Sequence, residues 1–375
     1  MAAVRVRGNV YWVGVKHPDV RNFHGYLVPY GTTYNAYLIL DEKISLVDTV
    51  RAPFAEALLD NIREVVDPTR IDYLISNHVE PDHSGALPAL IAACPNATVV
   101  TSPNGQKGLA AYYPEIAPAW QVVKTGDTLC TGRCRFSFVL MPMVHWPDSM
   151  STYLAEEKIL FSNDALGQHI ASDERYDDEL GEERLLERAG DYYANIVLPY
   201  GPQTQALLKS IAGLDIELAA PSHGVMLRSY LPKILEKYDM WSRGESDPSR
   251  GVVVYDTMWG ATRTMAEALV RELAGRGVTA ELISLKETHV STAMARLLEA
   301  GFIAVGSPTL NRQVMPTVAA FLSYLRGLAP KRRTGLAFGA YGWGGESVGL
   351  IEETLTALQW TLEPSRKAQW RFSGN

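Results

Sequence analysis

Apolar and polar positions divide the chain into two halves with different rhythms. In the first half, short apolar or alternating runs recur. They are VYWVGV from Val10, NAYLILD from Asn35, ISLVDT from Ile44, IDYLIS from Ile71, ATVVTS from Ala97, RFSFVLMP from Arg135, TYLAEEKILFSND from Thr152 and IELAAPSH from Ile216. Each predicts a strand. Helical spacing appears in PFAEALLDNIREVV from Pro53 and GALPALIAAC from Gly85, and over most of residues 172 to 213. Many strands with interspersed helices predict stacked sheets flanked by helices, an αββα sandwich. In the second half, the buried-type runs GVVVYDT, TAELISL, FIAVGSP and GLAFGAYG alternate strictly with TRTMAEALVRELAGRG, STAMARLLEA and MPTVAAFLSYLRGL. That alternation predicts a doubly wound parallel sheet.

Between the halves lies WSRGESDPSRG, Trp241 to Gly251, a polar stretch with Gly, Ser and Pro. It reads as a linker. Two α/β domains are expected, residues 1–243 and residues 250–375. A chain of 375 residues is also too long for one ordinary core.

Composition narrows the partners. The formal net charge of -7 argues against nucleic acid or an anionic membrane as the main partner. No run approaches the ~18 apolar residues of a membrane span. The opening MAAVRVRGNVYWVGV lacks the apolar core of a signal peptide. The three cysteines, Cys94, Cys130 and Cys134, are expected as reduced thiols of a cytoplasmic protein. Cys130 and Cys134 have no matching second pair and read as structural.

The stretch SNHVEPDHSG places His78, Glu80, Asp82 and His83 just beyond the strand IDYLIS. Such crowding is costly unless a cation neutralises the carboxylates. His145, Asp164 and His223 each follow another predicted strand in the same way, and strand ends can converge on one rim. A single metal site of His78, Glu80, Asp82, His83, His145, Asp164 and His223 is expected. A zinc hydrolase of similar pattern would carry histidine at Glu80. Three carboxylates with four histidines make a harder, more anionic site, suited to two iron ions with Asp164 between them.

Three loops of the second half point to a flavin. Thr257, Met258, Trp259, Gly260, Ala261 and Thr262 run from a strand into a helix, without the lysine of a P-loop. Hydroxyls and backbone N–H groups at a helix start suit a phosphate monoester, the habit of FMN sites of flavodoxin type. Ser307, Pro308, Thr309, Leu310 and Asn311 follow a second strand. Ala340, Tyr341, Gly342, Trp343 and Gly344 follow a third. Glycines permit close backbone approach to a flat ring, and Trp259, Tyr341 or Trp343 could stack on it.

These motifs, with FHGYLVPYGTTYNAYLILDEKISLVDT near the amino terminus, resemble the flavodiiron proteins, also called A-type flavoproteins, over nearly the whole chain. The resemblance implies a metallo-β-lactamase-like diiron domain followed by a flavodoxin-like FMN domain. It implies reduction of O2 to water or of NO to N2O. By the same resemblance His78, Glu80, His145 and Asp164 would bind one iron. Asp82, His83, Asp164 and His223 would bind the other, with Asp164 bridging and His83 the least secure ligand. His24 and Tyr192 (or Tyr193) resemble residues of the gas pocket, which makes them the catalytic candidates. A head-to-tail homodimer or a dimer of dimers is implied. So is a separate electron donor, such as rubredoxin or a reduced cofactor, because no further module follows KAQWRFSGN. Family members usually add a final helix there, which is expected to be missing. Two rivals are a metal-dependent hydrolase fused to a flavodoxin-like domain, and an electron carrier with an idle metal site.

Overall fold

The protein is described over residues 2–371 by a computed structural model. The chain forms two compact units. Of the described residues, the first comprises 2–23, 28–189 and 202–239, and the second comprises 24–27, 190–201 and 240–371.

Among the described residues, two sheets make the centre of the first unit. A seven-stranded sheet runs in the order Val4–Arg7, Val10–Trp12, Tyr37–Ile39, Ile44–Val47, Ile71–Ile75, Thr98–Thr101, Ala119–Val122. A five-stranded sheet runs in the order Thr128–Cys130, Arg135–Leu140, Met150–Leu154, Ile159–Asn163, Leu218–Pro221. Trp12, Tyr37, Ile75 and Val100 of the first sheet share one core with Phe136, Phe138, Leu154 and Phe161 of the second. Both sheets therefore bury a face against each other, the sandwich expected from alternating strands. Each buried ring stabilises the unit by about 1.5–3 kcal/mol, and Phe136→Ala would cost about 3–5 kcal/mol through the cavity it leaves.

The run TYLAEEKILFSND differs from its single-strand expectation. It folds into the end of Met150–Leu154 and all of Ile159–Asn163, antiparallel neighbours with Leu154 opposite Ile159. The polar AEEK between them turns back, with the amide of Lys158 donating to the carbonyl of Ala155. Length alone favours this outcome, since strands of thirteen residues are rare.

In the six-stranded sheet of the second unit every pairing among the described residues is parallel. The order is Thr279–Ser284, Asp247–Tyr255, Ala300–Gly306, Thr334–Tyr341, then Thr361–Leu362. Arg366–Gln369 continues along the same edge of Thr334–Tyr341. This is the 2-1-3-4-5 order of a doubly wound sheet. The helix Ala261–Gly275 buries Met265, Ala266, Leu269 and Leu273, one stripe at helical spacing. Pro316 opens the helix Pro316–Leu328, where its missing N–H costs nothing, and Ala329 closes it at φ 46.

The polar break after Trp241 is shorter than expected. The helix Leu231–Ser242 runs into it from one side, and the strand Asp247–Tyr255 begins inside it. The amide of Asp247 donates to the carbonyl of Glu299, which draws the polar DPSR into the ladder. The helix Glu346–Ala357, which follows the third glycine loop, was hidden by that loop's composition. The end of the chain, SGN to Asn375, lies with Phe372 outside the described residues.

Candidate functional site

Local chain geometry delivers the metal candidates to one place. His78 lies beyond Ile71–Ile75, and Glu80 caps the short helix Pro81–Ser84 that carries Asp82 and His83. Pro81 fixes the first helical position and starts the turn. Asp164 follows Ile159–Asn163, with Asn163 in the left-handed region at φ 55, a conformation asparagine tolerates. His223 follows Leu218–Pro221. All seven side chains come together.

They form two sets whose ligand atoms lie within 4.8 Å of one another: His78, Glu80, His145 and Asp164, and Asp82, His83 and His223. Asp164 faces both. Its Oδ2 is 3.5 Å from His78 Nε2 and 3.4 Å from His145 Nε2. Its Oδ1 is 3.2 Å from His83 Nε2 and 3.4 Å from His223 Nε2. Glu80 Oε2 stands 3.3 Å from Nε2 of both His78 and His145. Asp82 Oδ2 is 3.2 Å from His223 Nε2.

Second contacts choose which nitrogen each ring presents. His78 Nδ1 donates to Asp148 Oδ2 at 2.8 Å, which also accepts the amide of Val79 at 2.8 Å. His223 Nδ1 donates to the carbonyl of Thr33 at 2.6 Å. In both rings Nε2 is left facing the carboxylates, the arrangement that orients a metal-binding imidazole. Neither Asp148 nor Thr33 was foreseen. Asp148, in HWPDS three residues after His145, offered a weak signal; Thr33 acts through its backbone and offered none. Asp48 was also missed. Its buried carboxylate accepts the Asn77 amide at 2.7 Å and the Ser222 hydroxyl at 3.4 Å, fixing the residues just before His78 and His223.

The site is electrostatically balanced by protons. Burial alone would discharge the imidazoles. The hydrogen bonds of His78 to Asp148 and Glu80 outweigh it and hold that ring at about 10. Asp164 and Glu80 do the same for His145, at about 10. Asp82 and Asp164 hold His83 at about 9. Burial would likewise neutralise Asp164, but His83 and His145 keep its carboxyl well below the usual range.

The donor set fits a pair of divalent ions. Asp82 Oδ1 and His83 Nε2 are buried and make no hydrogen bond among the described residues, although they stand 3.3 Å apart. Buried polar atoms of that kind are costly without a partner. Four imidazoles with three carboxylates make a mixed nitrogen and oxygen set of the kind non-haem iron takes.

His24 and Tyr192 fall within the second compact unit. His24 is exposed at φ 51 in the turn between Asn22–Phe23 and Tyr26–Leu27. Tyr192 is buried at the end of the helix Glu182–Tyr192.

The second unit has a cavity of about 350 Å³ at the carboxyl ends of its strands. Thr257, Met258, Trp259, Ala261 and Thr262 line it, with Pro308, Thr309, Leu310 and Asn311, and with Ala340, Tyr341, Gly342 and Trp343. Three expected residues do not line it. Gly260 takes the N-cap position of the helix at φ 92. The Ser307 hydroxyl is taken up by the Pro308 carbonyl and the Met315 amide. Gly344 lies against the Glu346 carboxylate. Trp370 lines the cavity and was not foreseen. The Thr262 hydroxyl, wholly buried at the start of a fifteen-residue helix, has no hydrogen-bond partner among the described residues. A phosphate at that helix start would supply one.

Comparison with known proteins agrees with this geometry. Residues 32–224 match the family model described as ODP family beta lactamase, and residues 253–362 match Flavodoxin. A nitric oxide reductase of Moorella thermoacetica is 41% identical over 373 residues, covering 98% of this chain and 93% of that protein. A rubredoxin-oxygen oxidoreductase of Megalodesulfovibrio gigas is 42% identical over 364 residues, covering 96% and 90%. The crystal structure of the flavodiiron protein from Giardia intestinalis superposes with a TM-score of 0.97 at 33% identity, covering 100% of this chain and 92% of that one. A metallo-β-lactamase-like domain with two adjoining ligand sets, followed by a flavodoxin domain with a cavity at its strand ends, makes this chain a member of the flavodiiron protein family.

Proposed function

We propose that the chain reduces O2 to water or NO to N2O, with FMN in the second-unit cavity and two iron ions at the seven-residue cluster. The observation that carries this reading is the Asp164 carboxylate, one oxygen toward His78 and His145 and the other toward His83 and His223. When bound, the irons would supply the redox chemistry that gas reduction needs and the flavin would feed them electrons.

The chain's own residues set the conditions. Glu80, Asp82 and Asp164 bring three negative charges, which leave two divalent ions close to neutral. Asp148 and the Thr33 carbonyl hold His78 and His223 with Nε2 forward. Burial of the ligands excludes water from the reacting gas. For His24 and Tyr192 a role in handling the gas rests on resemblance alone. The hydrolase alternative is not favoured, because the named relatives are reductases.

The proposal extends to the partners. A separate donor, rubredoxin or a reduced cofactor, supplies electrons, and the working form is a head-to-tail homodimer. The cytoplasm is the proposed location, supported by three free cysteines. No helix of the described residues is long and apolar enough to cross a membrane.

Anaerobic purification followed by iron, zinc and FMN analysis tests the reading. About two irons and one FMN per chain are expected, with consumption of O2 or NO when reduced rubredoxin is supplied. Zinc in place of iron, with ester hydrolysis and no gas uptake, would overturn it. A light-scattering mass near twice 41.4 kDa tests the dimer.

A further inference from the structure

The cavity has a wall that its three loops do not supply. Trp370 follows the last described strand, Arg366–Gln369, and lines the cavity together with Trp259 and Trp343. Its backbone sits at φ 59, in the left-handed region, a costly conformation for so bulky a residue. Two bonds hold it there. The Trp370 amide donates to the carbonyl of Tyr341 at 2.8 Å, and the Gln369 side chain donates to the carbonyl of Gly342 at 3.0 Å. The indole lies over Gly342. A Cβ built on Gly342 would stand 3.0 Å from the ring's Cζ3 and 3.4 Å from its Cη2. The absence of a side chain at Gly342 thus sets where the indole rests.

Trp370 is 69% exposed, beside Trp259 at 95% and Trp343 at 90%. Single exposed apolar side chains are ordinary. Three indoles around one opening, one of them held in a strained turn, form a surface shaped for a flat aromatic partner. We infer that Trp370 is a contact for the flavin ring, placed by Gly342, and that ring binding fastens the end of the strand Arg366–Gln369. That strand is laddered to Thr334–Tyr341. Its last residue is next to the indole, so a ligand touching the indole bridges the strand to the cavity wall. This inference rests on the FMN reading of the cavity.

Flavin-free protein titrated with FMN and with riboflavin, followed by flavin fluorescence, tests it. Trp370→Ala is expected to weaken both flavins by about tenfold and leave their ratio unchanged. Trp370→Phe should recover most of that loss. Gly342→Ala should weaken both flavins as well, because the new methyl displaces the indole. Thr262→Val should weaken FMN but not riboflavin, marking the phosphate end. Amide exchange at residues 367–370 should slow on adding FMN to the wild type and not to Trp370→Ala. Unchanged affinity for both flavins in Trp370→Ala and Gly342→Ala would overturn the inference alone. A wild type that binds neither flavin would overturn the FMN reading and this inference with it.

Discussion

Asp148 touches no proposed metal, yet its removal should be felt at one of the two. Its Oδ2 accepts from His78 Nδ1 and from the Val79 amide, each at 2.8 Å. Its own carbonyl accepts the Ser102 hydroxyl at 2.7 Å. The side chain is buried. In Asp148→Ala two buried donors lose their acceptor, at about 1–3 kcal/mol each. The ring of His78 also loses the bond that keeps Nε2 forward. Partners of this kind are worth roughly 10–100-fold in metal affinity. Asp148→Asn retains one acceptor oxygen and should lie near the lower figure, with alanine near the upper. The effect should fall on the set His78, Glu80, His145 and Asp164, leaving the other ion in place. Competition of the metal-free protein against a chromophoric chelator resolves the two binding steps. Flavin content serves as the control. Two unperturbed metal affinities in Asp148→Ala would refute the argument that this carboxylate orients His78.

Other outcomes follow from the same geometry. Asp164→Ala should lose both ions and all gas turnover while retaining FMN, as measured by metal analysis beside the flavin spectrum. Metal loading should expel protons. His78 and His145 hold theirs up to about 10 and His83 up to about 9, so near pH 7.5 about three protons per chain leave as the ions enter. Calorimetry in buffers of different ionisation enthalpy counts them, and affinity should rise with pH. Asp41 offers a test of stability. Burial disfavours its charge, but the backbone N–H groups of Cys134, Arg133 and Glu42 and the Thr131 hydroxyl together hold its carboxyl at about 2. Its benefit, roughly 2 kcal/mol, is complete above the unfolded value of 3.8 and is lost as pH falls through about 2. Urea melts of Asp41→Asn should show that deficit at pH 7, shrinking towards pH 2.

Much of this was legible along the chain because ligands and strands lie close together in sequence. Each candidate for the metals stands within a few residues of the end of an apolar run, and the glycine loops follow their strands directly. What was hidden acts across distance. Asp148 reaches His78 over seventy positions, and Asp48 clasps residues on both sides of the unit. No spacing rule encodes such pairs. Trp370 was passed over because an indole in a short polar tail has no periodicity to mark it. Hydrophobic spacing likewise does not say which core receives residues 24–27 and 190–201; both belong to the second unit. There the Tyr324 hydroxyl donates to Asn195 and the Leu27 amide donates to Ser291.

The two-part fifth strand has a consequence for solubility. Thr334–Tyr341, TGLAFGAY, is eight residues long and carries no charge. Its outer edge is covered by Thr361–Leu362 and then by Arg366–Gln369, whose Arg366 is clamped by Glu272 through two hydrogen bonds. The covering strand brings Arg366 and Lys367 to the rim, and cations there discourage pairing with another sheet. A chain cut before Arg366 would bare half of an uncharged edge. Such a protein is expected to self-associate through backbone pairing.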